Sequence, residues 1–325
     1  MGRDGPSVPT RPLRPLPGRS GVRLRCMTEH LPREATRTTV TVGGLRLSAI
    51  VREPAPDRAV PGAAPFLLVH GLASNARLWD GVAAALAAAG HRSVAIDLRG
   101  HGRSEKPEDG YDFATVTADL AAAIGALGLE RPVVAGQSWG GNVVIELAAR
   151  YPELVRGVVA VDGGMIALRT IFPDWDSCRE ALSPPMLVGT PFVQIEAWIR
   201  SAHPHWPEGA IDGTMENFER RPDGTIAPWL TRERHITILR ALWDHVPGER
   251  YPTIRVPVLL LPAERPGDGS PLSLARATWT DEAERTIPAC RVRWFRPADH
   301  DVHAEQPDAV AAVMLGALAD GFFPA

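Results

Sequence analysis

The chain has little lysine and little cysteine, and no long run of charge of one sign. Lys106 is the only lysine among 35 basic residues, which 38 acidic residues balance to a net charge of −3. This balance gives no basic surface for nucleic acid or for an acidic membrane, so neither partner is expected. The three cysteines, Cys26, Cys178 and Cys290, are far apart and form no CxxC pair. Their number and spacing fit a protein of the reducing cytoplasm, and the arginine-rich composition is typical of a GC-rich bacterial gene.

Long apolar runs are also missing. The longest, such as Val82–Ala89, are rich in alanine and fall well short of the roughly 18 residues that span a bilayer. The basic N-terminus is followed by no apolar segment, so no secretory signal is expected. Residues 1–35 are rich in Pro, Arg and Gly without periodicity. We expect them to be a disordered tail, with Met27 as a candidate for the true start.

From residue 36 onwards the pattern is that of a folded α/β domain. Two β-branched segments joined by Gly43-Gly44 predict a hairpin. Short apolar strands then alternate with alanine-rich helices, which is typical of a parallel sheet buried on both faces. The predicted strands are Thr36–Val42, Leu45–Arg52, Phe66–His70, Ser93–Asp97, Pro132–Gln137, Gly157–Asp162, Val256–Ala263 and Arg291–Phe295, and the predicted helices are Ala76–Ala89, Ala114–Leu127, Gly140–Arg150, Leu272–Arg285 and Pro307–Asp320.

The strand pattern disappears between Gly163 and Tyr251, where helical stretches are broken by proline. We therefore divide the folded chain into a first core part (36–163), a helical cap (164–251) and a second core part (252–325). The cap aromatics would supply an apolar pocket, although at least half of them are expected only to pack the cap helices together. These aromatics are Phe172, Trp175, Phe192, Trp198, Trp206, Phe218, Trp229 and Trp243.

The segment Gly136–Gly141 carries the clearest chemical signal. It has a serine, Ser138, with glycines two residues before and two after, directly between the predicted strand Pro132–Gln137 and a predicted helix. A serine at such a tight turn is held in strained geometry with its hydroxyl exposed, and the helix start directs N–H groups towards it. Ser138 is therefore the predicted nucleophile.

A second sheet-edge segment, His70-Gly71-Leu72, follows an earlier strand. The oxygen of an acyl intermediate needs two hydrogen-bond donors. The backbone N–H of Leu72 and that of Trp139, which follows the serine, are the predicted oxyanion hole. His70 itself is expected to be structural.

The nucleophile needs a base, and the segment between the last strand and the last helix contains His300 and His303. His300 is the predicted base, because His303 stands near the start of the last helix, where capping or lining a pocket is the more natural role. The other histidines have no partners at metal-ligand spacing, so no metal is expected, and no cofactor is assigned.

These segments in this order, with the turn Asp97–Ser104, resemble the α/β-hydrolase superfamily. The resemblance covers residues 36–325, with the cap unmatched in detail. It implies a mostly parallel eight-stranded sheet flanked by helices with an inserted helical cap. The turn is similar to those of esterases, C–C bond hydrolases, cofactor-free perhydrolases and dehalogenases.

The acid that would orient the base is where the chain departs from that family. Many relatives carry an aspartate after the penultimate strand, but here the turn Leu261–Asp268 has a proline at that place. Some dehalogenase relatives carry the acid one strand earlier, where this chain has Asp162. We take Asp162 as the predicted acid and keep Glu264 and Asp268 as alternatives.

A serine nucleophile excludes dehalogenase and epoxide hydrolase chemistry, which needs a carboxylate there. We predict a hydrolase of a small hydrophobic ester, lactone or thioester that acts through Ser138, His300 and Asp162. A C–C bond hydrolase, a perhydrolase and a non-catalytic binding protein remain alternatives. The partner is a small-molecule substrate, and the oligomeric state stays open.

Overall fold

The computed structural model describes residues 35–324. The predicted N-terminal tail lies outside the described residues, except that Ala35 begins the first strand. The strands are β1 (Ala35–Val42), β2 (Leu45–Arg52), β3 (Phe66–Val69), β4 (Ser93–Ile96), β5 (Val133–Gln137), β6 (Gly157–Val161), β7 (Phe218–Arg220), β8 (Ile226–Pro228), β9 (Val258–Leu261) and β10 (Cys290–Val292). The helices are α1 (Asp80–Ala88), α2 (Phe113–Ala126), α3 (Trp139–Arg150), α4 (Trp175–Leu182), α5 (Phe192–Ala202), α6 (Glu208–Met215), α7 (Arg232–Asp244), α8 (Pro271–Thr286), α9 (Val302–Glu305) and α10 (Pro307–Ala319).

Eight of these strands form one sheet in the order β1-β2-β4-β3-β5-β6-β9-β10. The first hairpin is antiparallel, β2 pairs antiparallel with β4, and the remaining neighbours are parallel. The expected mostly parallel, eight-stranded α/β sheet is thereby confirmed. The last strand is shorter than predicted and begins one residue earlier, at Cys290.

The central strands are buried on both faces because helices cover each side of the sheet. Alternate residues of β3 illustrate this: Leu67 belongs to the core cluster that includes residues of α2, α3 and α8, whereas Leu68 belongs to the cluster that includes residues of α1 and α10. Every residue of β3, β5, β6 and β9 is buried. This explains why the strands read as continuous apolar runs rather than as alternating patterns.

The parallel register determines where the chemistry lies. Gln137, the last residue of β5, pairs with Val161, the last residue of β6. The residues that follow, Ser138 and Asp162, therefore leave the sheet side by side at its carboxyl edge, the edge where ligands bind in folds of this class.

The chain between β6 and β9 contains helices α4 to α7, as expected, but it also contains a two-stranded antiparallel sheet of β7 and β8 that the sequence analysis did not predict. Each strand has only three residues, too few for a periodic signal. The turn between them is built from local polar contacts: Asp223 accepts from the N–H of Thr225 at 2.9 Å, and Gly224 has a φ of 84°. This pairing corrects the expectation of a purely helical segment.

No helix in the described part of the chain is long and apolar enough to cross a membrane.

Candidate active site

The turn at Ser138 is made possible by its flanking glycines. Ser138 joins β5 to α3 with φ 54° and ψ −123°, a conformation that non-glycine residues rarely adopt. A Cβ at Gly136 would lie 2.2 Å from the carbonyl oxygen of Gly140, and a Cβ at Gly140 would lie 2.3 Å from that of His70. The backbone can therefore pass through this turn only without side chains at those two positions, which is the pattern read from the sequence.

Asp162 and His300 meet at the same edge of the sheet. Asp162 Oδ2 lies 2.5 Å from His300 Nδ1, and the Asp162 side chain is fully buried. The His300 side chain is 47% exposed, so the ring is accessible from the cavity side. Burial lowers the pKa of His300, but the hydrogen bond and charge of Asp162 raise it, and the net result is above the ordinary value. With Nδ1 engaged by the carboxylate, Nε2 is the nitrogen left for a proton transfer.

The second oxygen of Asp162 is held by two further donors. Arg276 Nε lies 2.7 Å from Asp162 Oδ1, and the backbone N–H of Ala263 donates to the same oxygen at 2.9 Å. The Arg276 side chain is 12% exposed. Each carboxylate oxygen thus has its own partners, so the orientation of the carboxylate towards His300 is fixed.

Sequence reasoning missed Arg276, although a signal was present. Arg276 shares one face of α8 with buried residues three, four and seven positions later: Trp279, Thr280 and Ala283. A helical arginine in register with a buried stripe faces the interior and needs a buried partner.

The rival candidates have other contacts. Glu264 is 42% exposed and pairs with Arg296. Asp268 accepts from the backbone N–H of Ser270 at 2.9 Å, which holds its pKa below the usual value, although Asp268 does line the cavity that contains Ser138 and His300. His303 is fully buried against the ring of Trp79, and burial lowers its pKa to about 3. Among the described contacts, none of these alternative side chains forms a pair like that of Asp162 with His300.

Two histidines organise the loop that follows β3. His70 Nδ1 contacts the carbonyl of Gly71 at 2.7 Å, and His70 Nε2 accepts from the N–H of Leu98 at 2.9 Å. Burial lowers the pKa of His70, which suits a neutral ring with one donor and one acceptor nitrogen. His101 Nε2 accepts from the N–H of Ala73 at 3.3 Å. These contacts fix the course of the loop around Leu72.

The N–H groups of Leu72 and Trp139 have no protein acceptor among the described residues. Both residues line the cavity that also contains Ser138 and His300. Unpaired donors facing a reacting group are what an oxyanion hole requires.

This cavity, which we call the catalytic cavity because it contains the predicted nucleophile and base, has a volume of about 370 Å³ and a mostly apolar wall. Of the eight aromatics predicted for a pocket, none lines it in the described structure; Trp175 and Trp243, for example, pack against each other. The lining residues are Leu72, Ser138, Trp139, Asp162, Met165, Ile166, Leu168, Leu182, His235, Leu239, Leu242, Asp268, Ser270, Leu272, Arg276, Trp279 and His300.

Residues 35–324 contain no cluster of three or more His, Cys, Asp or Glu side chains able to hold a metal ion.

Comparison with known proteins agrees with this architecture. Residues 64–186 match the family model of the α/β hydrolase fold. A 2-(acetamidomethylene)succinate hydrolase of Mesorhizobium japonicum is 29% identical over 253 residues, which are 76% of this chain and 85% of the relative.

Solved structures give the same picture. The crystal structure of an E-2-(acetamidomethylene)succinate hydrolase superposes with a TM-score of 0.72 at 24% identity, covering 88% of this chain and 99% of the other. An esterase of M. tuberculosis gives a TM-score of 0.66 at 26% identity, covering 89% and 93% of the two chains. A thioesterase domain from the curacin biosynthetic pathway gives 0.66 at 20% identity, covering 86% and 99%.

Proposed function

The chain belongs to the α/β-hydrolase superfamily, and from this premise we propose that it is a serine hydrolase of small hydrophobic esters, lactones or thioesters. The observation that carries the proposal is the 2.5 Å contact between Asp162 and His300 beside a cavity that contains Ser138. A nucleophile, a base and an orienting acid within one cavity are the parts that acyl transfer needs.

The reaction follows from these positions. His300 Nε2 takes the proton of Ser138 as its Oγ attacks the substrate carbonyl, and Asp162 stabilises the imidazolium through Nδ1. The N–H groups of Leu72 and Trp139 hold the negative oxygen of the tetrahedral intermediate. Collapse expels the alcohol or thiol, which takes the proton back from His300. Water activated by His300 then attacks the acyl-enzyme and releases the acid.

The charges of the cavity favour an uncharged substrate. Arg276 is the one permanently positive side chain among the described residues that line it, and its Nε is already paired with buried Asp162. A dicarboxylate would need at least one further cation to replace its lost hydration. An apolar ester suits the apolar wall, so we propose that this chain differs in substrate from the succinate hydrolase to which it is similar.

We also propose that residues 164–251 act as a cap over the catalytic edge, with 36–163 and 252–325 as the two parts of the core. Leu182, His235, Leu239 and Leu242 come from this segment and line the catalytic cavity. A cap that supplies cavity wall excludes water and selects substrates.

A cytoplasmic location remains part of the proposal. Among the described residues, Cys178 and Cys290 are free thiols. Unpaired thiols are the usual state of cysteine in a reducing compartment.

A fluorophosphonate probe tests the catalytic assignment without a choice of substrate. We expect one label per chain, found by mass spectrometry on the peptide that contains Ser138. Labelling should be absent in Ser138→Ala and strongly slowed in His300→Ala, with both variants folded by circular dichroism. Labelling of another residue, or none in folded wild-type protein and no turnover of p-nitrophenyl butyrate, would contradict a serine hydrolase.

A further inference from the structure

A second cavity, which we call the outer cavity, adjoins the catalytic one. It has a volume of about 470 Å³, and His235 forms part of the wall of both. The loop after β3 also runs from one to the other, because Leu72 lines the catalytic cavity and the next residue, Ala73, lines the outer one. The two spaces are therefore neighbours that share a wall.

The outer cavity is mainly apolar and reaches the surface. Much of its wall comes from prolines and large apolar side chains: Pro184, Pro185, Met186, Leu187, Val188, Phe218, Pro228, Trp229 and Leu230. Two of them, Met186 and Val188, are 75% and 58% exposed. Large apolar side chains left open to water around a concavity are typical of a binding site.

His235 lies between the cavities with unused hydrogen-bonding capacity. The residue is 8% exposed, and its Nδ1 is buried without a hydrogen-bond partner among the described residues. A buried polar atom left unpaired is destabilising and calls for an explanation, of which a ligand group is one. Burial, together with the charge of Arg232, lowers the pKa of His235 to about 4, so its ring is neutral at pH 7 and offers one donor and one acceptor.

We propose that the substrate spans both cavities, with its ester at Ser138, an aliphatic arm in the outer cavity and a polar atom of that arm hydrogen-bonded to His235. The inference rests on the proposed function and names its substrate class: a chain-bearing ester or thioester rather than a compact one. The catalytic cavity holds the reacting end, and the outer cavity removes the arm from water.

The chain-length dependence of hydrolysis tests the outer cavity. Each methylene buried there should raise kcat/KM roughly fourfold, so p-nitrophenyl octanoate should be preferred to the butyrate. Val188→Asp places a charge in the apolar wall and should lower the octanoate-to-butyrate ratio by about sixteenfold, the contribution of two methylenes. Val193→Asp is the matched control, because Val193 is 70% exposed in the same segment but does not line the outer cavity. Its ratio should equal that of wild type.

The role of His235 is tested with octanoate esters in which one ether oxygen replaces a methylene at successive positions. One position should be preferred by about fivefold over its neighbours, the worth of one hydrogen bond, and His235→Phe should lose that preference. The circular dichroism spectrum and melting temperature of His235→Phe report whether the variant is folded.

The outcomes separate the two proposals. Butyrate turnover without a chain-length gain, or equal ratios in Val188→Asp and Val193→Asp, would overturn the two-cavity inference and leave the serine hydrolase standing. A chain-length gain without a preferred oxygen position would remove His235 from it. Absence of ester turnover together with absence of labelling at Ser138 would defeat both.

Discussion

The replacement Asp162→Asn should nearly abolish activity while leaving the fold intact, and the structure explains why. Oδ1 of Asp162 receives the Nε–H of Arg276 at 2.7 Å and the N–H of Ala263 at 2.9 Å. In the variant, only the amide oxygen can accept these two donors. The amide NH₂ is thereby turned towards Nδ1 of His300, which must then accept a hydrogen bond instead of donating one.

This reversal puts the proton of His300 on Nε2, the nitrogen that should take the proton of Ser138. A wrong tautomer of this kind lowers kcat by about 10⁴, or about 5 kcal/mol in the activation barrier. The retained contacts to Arg276 and Ala263 limit the loss of stability, so the melting temperature should change little.

The assay compares kcat/KM for p-nitrophenyl butyrate, with Asp268→Asn and Glu264→Gln as matched controls that remove the charge of each alternative acid. Both controls should keep activity within about tenfold of wild type, because Asp268 caps its own turn and Glu264 pairs with Arg296. A loss below tenfold in Asp162→Asn, or a greater loss in Asp268→Asn, would refute the assignment of the acid.

Four further predictions follow from other contacts. His300 must be neutral to act as a base, and Asp162 raises its pKa above the ordinary 6.5, so kcat/KM should fall with decreasing pH through a value above 6.5; a limb below 6.5 in wild type would contradict this. Because the charge of Arg276 opposes that rise, Arg276→Gln should move the limb to higher pH, whereas Arg285→Gln on the same helix should not. Gly136→Ala should destabilise the protein by about 3 kcal/mol or more in urea melts, because the added Cβ would lie 2.2 Å from a carbonyl oxygen. The control Gly125→Ala, with nothing within 4 Å of its Cβ, should be neutral or stabilising. Equal effects of the two substitutions would count against the strained turn. Burial lowers the pKa of His303 to about 3, whereas the same side chain in the unfolded protein has a pKa near 6.5. Protonation of the unfolded chain therefore lowers the free energy of unfolding by about 1.4 kcal/mol per pH unit below pH 6.5. Between pH 7 and pH 5, His303→Phe should accordingly lose about 2 kcal/mol less stability than wild type does.

The sheet was predictable because its central strands combine two strong signals. Segments such as Phe66–Val69 are continuously apolar, and each is followed by a helix of ordinary length. The serine turn was predictable for a different reason: backbone atoms crowd Gly136 and Gly140, so the glycine spacing records a steric constraint.

The remaining features depend on contacts between residues far apart in the chain. The three-residue strands β7 and β8 are held by their mutual pairing, which leaves no periodic pattern. Arg276 lies 114 positions from Asp162, the residue with which it pairs. Nothing in either residue type identifies its partner in the sequence. The lining of the catalytic cavity by leucines, rather than by the cap aromatics, likewise depends on how helix faces are turned in the fold.

The position of Asp162, the proposed acid, shows how tertiary pairing makes two chain positions equivalent. β6 and β9 are parallel neighbours, with Val161 opposite Leu261, so their carboxyl ends open into the same space. The N–H of Asp162 bonds the carbonyl of Leu261 at 2.9 Å, and Asp162 Oδ1 accepts from the N–H of Ala263 at 2.9 Å. An aspartate after β6 is thus held by the backbone of the turn after β9, the turn in which many relatives carry their aspartate. His300, which follows β10, would as the proposed base need a carboxylate at that place but not one from a particular strand. The proposed acid can therefore change strands while the proposed base and nucleophile stay where they are.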